Sequence, residues 1–318
     1  MKSLSVPEPK AGEVRIKLSK VGICGSDVHL FLGHRTLAKP TIIGHEALGT
    51  IDKIGEGVSG KRVGDRVVVE PNIPCRNCKY CLRGNGNICI NKRVVGLTEN
   101  GCFTEYLCIP EEFAWKIPIG IDENDAVCIE PTAVAVHALF SSSAKPGDTI
   151  AIIGLGAIGL LISHLALKLG YKVLVTEVIE SKCNFAKNEG AIVVNGDGQF
   201  LNTIWEASEV VAVFECAGSA FTATLAAEAA PRGSEIVLIG LSEKQAYFTP
   251  LKIAREGITI LPSIIYDHPT DFKRTIQLIS HKIIQPSRII SSFYRLEQLQ
   301  TALELASKGN ETKIVIEI

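Results

Sequence analysis

The sequence of 318 residues lacks a surplus of charge of either sign, because 33 lysines and arginines are balanced by 34 aspartates and glutamates. It also lacks blocks of like charge, low-complexity tracts and repeats of fixed period. These absences argue against a nucleic-acid-binding protein, a disordered chain and a solenoid. The hydrophobic fraction of 46% and the charged fraction of 21% are typical of a globular protein, and the length suggests two domains.

The N-terminal segment MKSLSVPEPKAGEV lacks the apolar core that a secretory signal requires. We therefore expect a cytoplasmic protein. One uncharged run, residues 150–167, approaches the length of a membrane span. Its three glycines, Gly154, Gly156 and Gly159, indicate instead a strand that turns tightly into a helix. We expect no membrane partner.

The pattern of predicted strands changes along the chain. From Glu13 to Lys116, short β-rich runs such as VRIKL and DRVVVE are separated by Gly, Pro and Asn, which indicates a β-dominated domain. From Thr149, apolar strands alternate with helix-length segments, and this alternation predicts a doubly wound parallel sheet. The tail is expected to fold back onto the first domain. The predicted division is 1–132 with 269–318, and 133–268.

Four of the ten cysteines lie in the short segment CRNCKYCLRGNGNIC. They are Cys75, Cys78, Cys81 and Cys89. Four thiolates complete the tetrahedral shell of a zinc ion and leave no open position, so this zinc would be structural. A nucleic-acid zinc ribbon is the competing interpretation, but it would show two distant cysteine pairs and a basic, aromatic surface.

The segment GLGAIG follows the predicted strand TIAII and opens an apolar helix, as a phosphate-binding turn does. Its predicted cofactor-binding residues are Gly154, Gly156, Ala157, Ile158 and Gly159. Glu177 ends the next strand, where a carboxylate accepts the ribose hydroxyls and favours NAD over NADP. Lys182 could approach the adenosine edge. Glu177 could alternatively be only a solvated acid at a strand end.

A third set of residues is dispersed along the chain. Cys24 lies in GICGSDVH, His45 and Glu46 lie in GHE, and Glu130 lies in IEPTAVAVHA. Each alone suits a structural role, since an isolated cysteine is usually a small buried side chain. Together they match the Cys, His and carboxylate ligands of a catalytic zinc with an open position.

The order of these motifs resembles that of the zinc-containing medium-chain dehydrogenases. The motifs are GICGSDVH, GHEALGTIDKIGEGV, RVGDRVVVEP, the four-cysteine segment, NGCFTEY, EPTAVAVHA, KPGDTIAIIGLGAIGL and FECAG. They span nearly the whole chain and are most similar to the polyol branch, which includes sorbitol, idonate, threonine and galactitol-phosphate dehydrogenases and RspB-like proteins. The resemblance implies an α/β fold with a β-rich GroES-like catalytic domain and a Rossmann domain.

The resemblance also implies a catalytic zinc held by Cys24 and His45, with Glu46 and Glu130 binding it directly or through water. A glutamate followed by proline, as at Glu130, is typical of the polyol branch. Simple alcohol dehydrogenases commonly place a cysteine there. The substrate is therefore expected to be a polyol, a sugar acid or a related small polar alcohol.

Three further roles follow from the same resemblance. Ser26 would accept the proton of the substrate hydroxyl, His29 would pass it to solvent, and Asp27 would orient His45. Relatives carry a β-hairpin before the segment that matches PEPKAGEV, whereas few residues precede it here. In relatives that hairpin borders the substrate cleft, so the resemblance leads us to expect a different border of the cleft here.

The expected activity is hydride transfer from a secondary hydroxyl to NAD. Alternatives are a threonine-type or simple alcohol dehydrogenase, and a zinc-stabilised NAD-binding protein without turnover. A homodimer or homotetramer is also expected, because relatives associate through the strand that matches GITILPSII.

We predict two zinc ions per chain, because one ligand set is closed and the other is open. Metal analysis of the purified protein measures this, and one zinc or fewer would contradict it. Cys24→Ser should lose turnover and keep the fold. Cys78→Ser should chiefly destabilise the cysteine segment, since structural zinc contributes folding free energy directly.

Overall fold

The computed structural model describes residues 3–318, so Met1 and Lys2 of the predicted first domain lie outside the described range. The chain forms two compact units. The first contains the described residues up to Glu130 together with Asp267–Ile318, and the second is Pro131–Tyr266. The division predicted from the sequence, after 132 and after 268, falls two residues further along the chain at each boundary.

Strands form the main sheets of both units. In chain order they are β1 (Glu13–Gly22), β2 (Glu46–Ile54), β3 (Arg66–Val69), β4 (Asn72–Ile73), β5 (Arg93–Val94), β6 (Tyr106–Pro110), β7 (Ala114–Lys116), β8 (Thr149–Ile153), β9 (Lys172–Thr176), β10 (Ile192–Val193), β11 (Val210–Glu215), β12 (Glu235–Leu238), β13 (Thr259–Pro262), β14 (Ile290–Arg295) and β15 (Lys313–Glu317).

Most of the helices lie in the second unit or in the tail. They are α1 (Gly25–Phe31), α2 (Glu123–Val127), α3 (Ile129–Ser141), α4 (Ala157–Leu169), α5 (Glu180–Glu189), α6 (Gly198–Ala207), α7 (Ala220–Ala229), α8 (Pro250–Glu256), α9 (Thr270–Ser280) and α10 (Leu299–Ser307). Short 3₁₀ turns occur at Cys81–Arg83, Gly86–Ile88, Glu111–Phe113, Pro286–Ile289 and Leu296–Gln298.

The first unit contains a seven-stranded sheet in which β1 is the central partner. β1 pairs antiparallel with β2, with β6 and with β15, so the last strand of the chain lies directly beside the first. Apolar side chains at alternate positions of β1, such as Val14, Ile16 and Leu18, are buried in the core of this unit. The strand period of two places them on one face. The cysteine segment lies between β4 and β5, which pair with each other.

The second unit contains a six-stranded parallel sheet in the order β10-β9-β8-β11-β12-β13. The chain moves outward from β8 to β10, and then returns to place β11 on the other side of β8. This reversal is the doubly wound arrangement that binds dinucleotides at the carboxyl ends of the strands. The predicted fold class is confirmed. The uncharged run 150–167 contributes to β8 and α4, and within residues 3–318 no helix combines the length and hydrophobicity of a membrane span.

Candidate active site and structural metal site

The four clustered cysteines converge. One sulfur from each lies within 4.8 Å of the other three. Cys78 Sγ is 3.5 Å from Cys81 Sγ and 3.9 Å from Cys89 Sγ. Zinc–sulfur bonds of about 2.3 Å give a tetrahedron with edges of about 3.8 Å. The sulfur set therefore fits zinc, and its spacings are far longer than a disulfide bond of about 2 Å.

The local backbone directs N–H groups toward these sulfurs. Cys75 N–H donates to Cys89 Sγ at 3.3 Å. The N–H of Cys81 lowers the pKa of Cys78 to about 6, and the N–H of Ile90 acts in the same direction. Partial burial, followed by the neighbouring thiols, raises the pKa of Cys81 to about 12. Four thiolates this close together repel one another, so their full ionisation needs a neighbouring cation, which a zinc ion would supply.

A second cluster forms where β1 and β2 meet. Ligand atoms of Cys24, His45 and Glu46 all lie within 4.8 Å of one another. Cys24 immediately precedes α1, and Glu46 is the first residue of β2. The register of β1 and β2 places Gly22 opposite Glu46, and a Cβ at Gly22 would lie only 2.2 Å from Glu46 Oε2. A larger residue at Gly22 would therefore displace the Glu46 carboxylate from its present position.

Asp27 connects the two segments that carry Cys24 and His45. Its side chain is fully buried, with Oδ2 accepting the N–H of Cys24 at 3.0 Å and Oδ1 accepting the N–H of Gly44 at 3.1 Å. Oδ1 also lies 3.6 Å from His45 Nδ1, a buried atom that has no hydrogen-bond partner among the described residues. A metal-bound imidazole usually directs its second nitrogen toward a carboxylate. The arrangement fits that use.

The electrostatics of this cluster favour a positive charge. Burial alone lowers the pKa of His45, but the charges of Asp27 and Cys24 outweigh it and raise the pKa well above its ordinary value. The surroundings of His45 thus stabilise a cation. A zinc ion bound here would supply that charge while the imidazole stayed neutral.

Lys313 is the main residue that sequence reasoning missed. Its Nζ donates to Glu46 Oε1 at 2.8 Å, to Glu46 Oε2 at 2.7 Å and to the carbonyl oxygen of Ile23 at 3.0 Å. Lys313 is 3% exposed and Glu46 is 1% exposed. Burial lowers the pKa of Lys313, but the Glu46 and Cys24 charges outweigh that effect and raise it overall. Glu46 is therefore a buried carboxylate held by both oxygens beside the other two predicted ligands, Cys24 and His45.

The remaining predicted site residues of the first unit are Glu130, Ser26 and His29. Glu130, 6% exposed, is the second residue of α3 and does not belong to the 4.8 Å group found among residues 3–318. The structure thus brings together three of the four predicted ligands at that spacing. Ser26 is partly buried in α1, and the exposed His29 has its Nδ1 3.4 Å from Nδ1 of His34.

The predicted phosphate-binding turn lies between β8 and α4. Gly154 has a φ of 90°, and a Cβ there would lie 2.7 Å from that of Ala217, so only glycine fits. Gly156 is the N-cap of α4, and Ala157, Ile158 and Gly159 form its first turn. The unpaired N–H groups of a first turn are suited to a pyrophosphate.

Glu177 follows β9 and is 9% exposed. Its Oε2 accepts the N–H of Leu155 at 2.7 Å, and Oε1 accepts those of Val178 at 2.7 Å and Ile179 at 3.0 Å. The carboxylate therefore ties the loop after β9 to the glycine turn after β8. Lys182 is buried in α5, where burial lowers its pKa against the opposing effect of Glu177.

Comparison with known proteins places this geometry in a family. The family model "Alcohol dehydrogenase GroES-like domain" matches residues 10–119, and "Zinc-binding dehydrogenase" matches residues 157–281. The zinc-type alcohol dehydrogenase-like protein YdjJ of Escherichia coli K12 is 34% identical, with 98% of this chain and 93% of that protein covered. Sorbitol dehydrogenase of Bacillus subtilis is 31% identical, with 96% and 90% covered.

A solved structure shows the same architecture. The RspB alcohol dehydrogenase of E. coli CFT073, in complex with NADH, has a TM-score of 0.92 and 30% identity, with 99% of this chain and 94% of that chain covered. The chain belongs to the zinc-binding alcohol dehydrogenase family. It is an NAD-linked zinc enzyme of the alcohol and polyol type, which confirms the predicted family, enzyme class and cofactors.

We expect Lys313→Met to lower the free energy of unfolding by about 3–5 kcal/mol, because it leaves the buried Glu46 carboxylate without its cation. The double variant Lys313→Met/Glu46→Gln should recover most of that loss. Urea denaturation followed by tryptophan fluorescence measures both.

A matched control is Lys20→Met, since Lys20 lies on the same sheet and donates to Asn124 at 2.7 Å in a part-buried position. Its replacement should cost no more than about 1 kcal/mol. If Lys313→Met/Glu46→Gln were as unstable as Lys313→Met alone, the unpaired Glu46 carboxylate would not be the cause of the lost stability.

Proposed function

We propose that this chain oxidises the secondary hydroxyl of a polyol, a sugar acid or a related small polar alcohol and transfers the hydride to NAD. The observation that supports this proposal is the convergence of Cys24, His45 and Glu46 in one buried cluster. A bound zinc would act as a Lewis acid that makes the hydroxyl proton easier to lose.

In this proposal each residue of the first unit has a defined task. Cys24 and His45 hold the metal, Asp27 orients His45, and Glu46 and Glu130 complete the polar surroundings directly or through water. A separate pair handles the proton: Ser26 accepts it from the substrate hydroxyl, and His29 releases it to solvent. The four-cysteine segment binds a structural zinc.

The cofactor tasks belong to the second unit. The turn from Gly154 to Gly159 would receive the pyrophosphate, and Glu177 would accept the ribose hydroxyls and oppose a 2′-phosphate. Lys182 would lie near the adenosine edge. In this proposal the first unit would be the zinc-binding catalytic domain, and the second unit would be the NAD-binding Rossmann domain.

The substrate class follows from the carboxylates in the cluster. Glu130, together with Glu46 and its partner Lys313, would make the surroundings of the metal more polar than two cysteines and a histidine would. A substrate with a second hydroxyl can use these groups, whereas a simple alkanol leaves them unused. B. subtilis sorbitol dehydrogenase, a relative that is 31% identical to this chain over the aligned residues, is consistent with such a substrate.

We expect polyols and sugar acids to exceed ethanol and 2-propanol in kcat/KM by about tenfold to a hundredfold, because an unused buried polar group costs about 1–3 kcal/mol. Initial rates of NAD reduction over a substrate panel measure this. Higher values for simple alcohols would contradict the substrate class, and preference for an amino alcohol would indicate a threonine-type enzyme. NAD binding without any turnover would indicate a non-catalytic protein.

We also propose a cytoplasmic homodimer or homotetramer that associates through β13. This strand is at the end of its sheet, and three of its four residues are exposed. Large apolar side chains are exposed in the preceding segment, including Leu241 at 78%, Tyr247 at 70% and Leu251 at 60%. An unpaired apolar edge strand can pair with the same strand of a second copy of the chain.

Ile260→Lys on β13 should give a monomer, because a charge at the edge opposes strand pairing. The matched control is Ile192→Lys on β10, the opposite edge of the same sheet, where the isoleucine is 46% exposed. Light scattering at micromolar concentration should show an oligomer for the wild type and the control. A monomeric wild type would refute the association.

A further inference from the structure

Glu215 is a buried carboxylate whose role the proposed chemistry leaves open. It is the last residue of β11 and is 1% exposed. β11 lies beside β8 at the reversal of the parallel sheet. The carboxyl ends of these strands border the crevice where dinucleotides bind.

The side chain of Glu215 fixes the loop that follows its own strand. Oε1 accepts the N–H groups of Ala217 and Gly218, both at 3.0 Å, and the hydroxyl of Thr222 at 2.7 Å. Three donors on one oxygen determine the path of the backbone from β11 into α7. The loop therefore has a defined shape before any ligand binds.

The backbone of Glu215 fixes a second loop. Its carbonyl oxygen accepts the N–H groups of Ile239 at 3.0 Å and Gly240 at 2.9 Å, at the end of β12. A Cβ at Gly240 would lie 2.2 Å from Gly218 N and 2.5 Å from Glu215 Oε2. The loops after β11 and β12 are thus in direct contact around this one residue.

The same loop also touches the phosphate-binding turn, because Ala217 lies against Gly154. Three loops at the carboxyl ends of β8, β11 and β12 therefore interlock. Glu177 is on the other side of β8, in the loop after β9. If the adenosine half of NAD binds near Glu177, the nicotinamide half extends toward β11 and β12.

We propose that Glu215 is a positioning residue for the nicotinamide half of NAD, acting through the backbone of residues 216–218 and 239–240. This inference rests on the proposed cofactor orientation. The requirement is for an oxygen that accepts the Ala217 and Gly218 N–H groups and the Thr222 hydroxyl.

The test compares the affinities of NADH and AMP, since AMP probes only the adenosine half. We expect Glu215→Ala to weaken NADH about tenfold while AMP changes less than about twofold, because the loop donors lose their acceptor. Glu215→Gln keeps an oxygen in place and should retain NADH affinity within about threefold. NADH fluorescence and calorimetry with AMP give both constants.

The matched control is Glu235→Ala. Glu235 begins the neighbouring strand β12 and accepts the Ser142 hydroxyl at 2.7 Å and the Ser143 N–H at 2.8 Å, so it also fixes a loop, at the amino end of the sheet. Its removal should lower the melting temperature without changing the ratio of NADH to AMP affinity. Thr222→Val removes one donor to Glu215 and should lower NADH affinity about threefold. This variant tests the inference if Glu215→Ala does not fold.

Two outcomes would overturn the inference. One is an unchanged NADH to AMP ratio in Glu215→Ala, or in Thr222→Val if that variant is the one that folds. The other is an equal change of the ratio in Glu235→Ala, which would indicate general loosening. A wild-type protein that binds AMP and not NADH would overturn the proposed function as well, so the two failures are distinguishable.

Discussion

The buried ion pair between Glu46 and Lys313 is the interaction on which the proposed metal site of the first unit depends. A carboxylate that is 1% exposed is unstable unless a cation and hydrogen bonds compensate its desolvation. Lys313 supplies two hydrogen bonds to that carboxylate and one to the carbonyl of Ile23. Because Lys313 is the first residue of β15, the pair connects the end of the chain to the strand that carries a proposed metal ligand. The tail is thus part of the site.

The charges of neighbouring side chains explain why the proposed metal site contains these residue types. Asp27 is fully buried, and both of its oxygens accept backbone N–H groups that shape the loops of Cys24 and His45. This carboxylate stays close to His45, where its charge favours a cation. Lys313 balances Glu46, so the negative charge of Asp27 would remain to compensate a metal ion held by the proposed ligands. The contacts of Asp27 and Lys313 therefore both position the side chains of this site and balance their charges.

Sites whose residues are close together along the chain could be predicted from the sequence, whereas sites whose residues are far apart gave weaker signals. The four clustered cysteines and the glycine turn are local patterns, and their spacing alone indicated zinc and a phosphate site. Cys24 and His45 converge only because β1 pairs with β2, so their residue types suggested a shared metal site and the family resemblance made the prediction specific. Lys313 is 267 residues from Glu46 and stands in an ordinary strand pattern, KIVIEI, which gives no local signal. Glu215 likewise has donors that only the folded loops bring to it.

The parallel sheet has two carboxylates that serve the same physical purpose on either side of β8. Glu177, after β9, accepts three backbone N–H groups, and Glu215, at the end of β11, accepts two together with a hydroxyl. Each holds a loop at the carboxyl edge in place without help from a ligand. A cofactor that meets loops already ordered loses less free energy to their immobilisation, and more of its contacts contribute to affinity. The two carboxylates therefore hold the loops at this edge of the sheet in place from within.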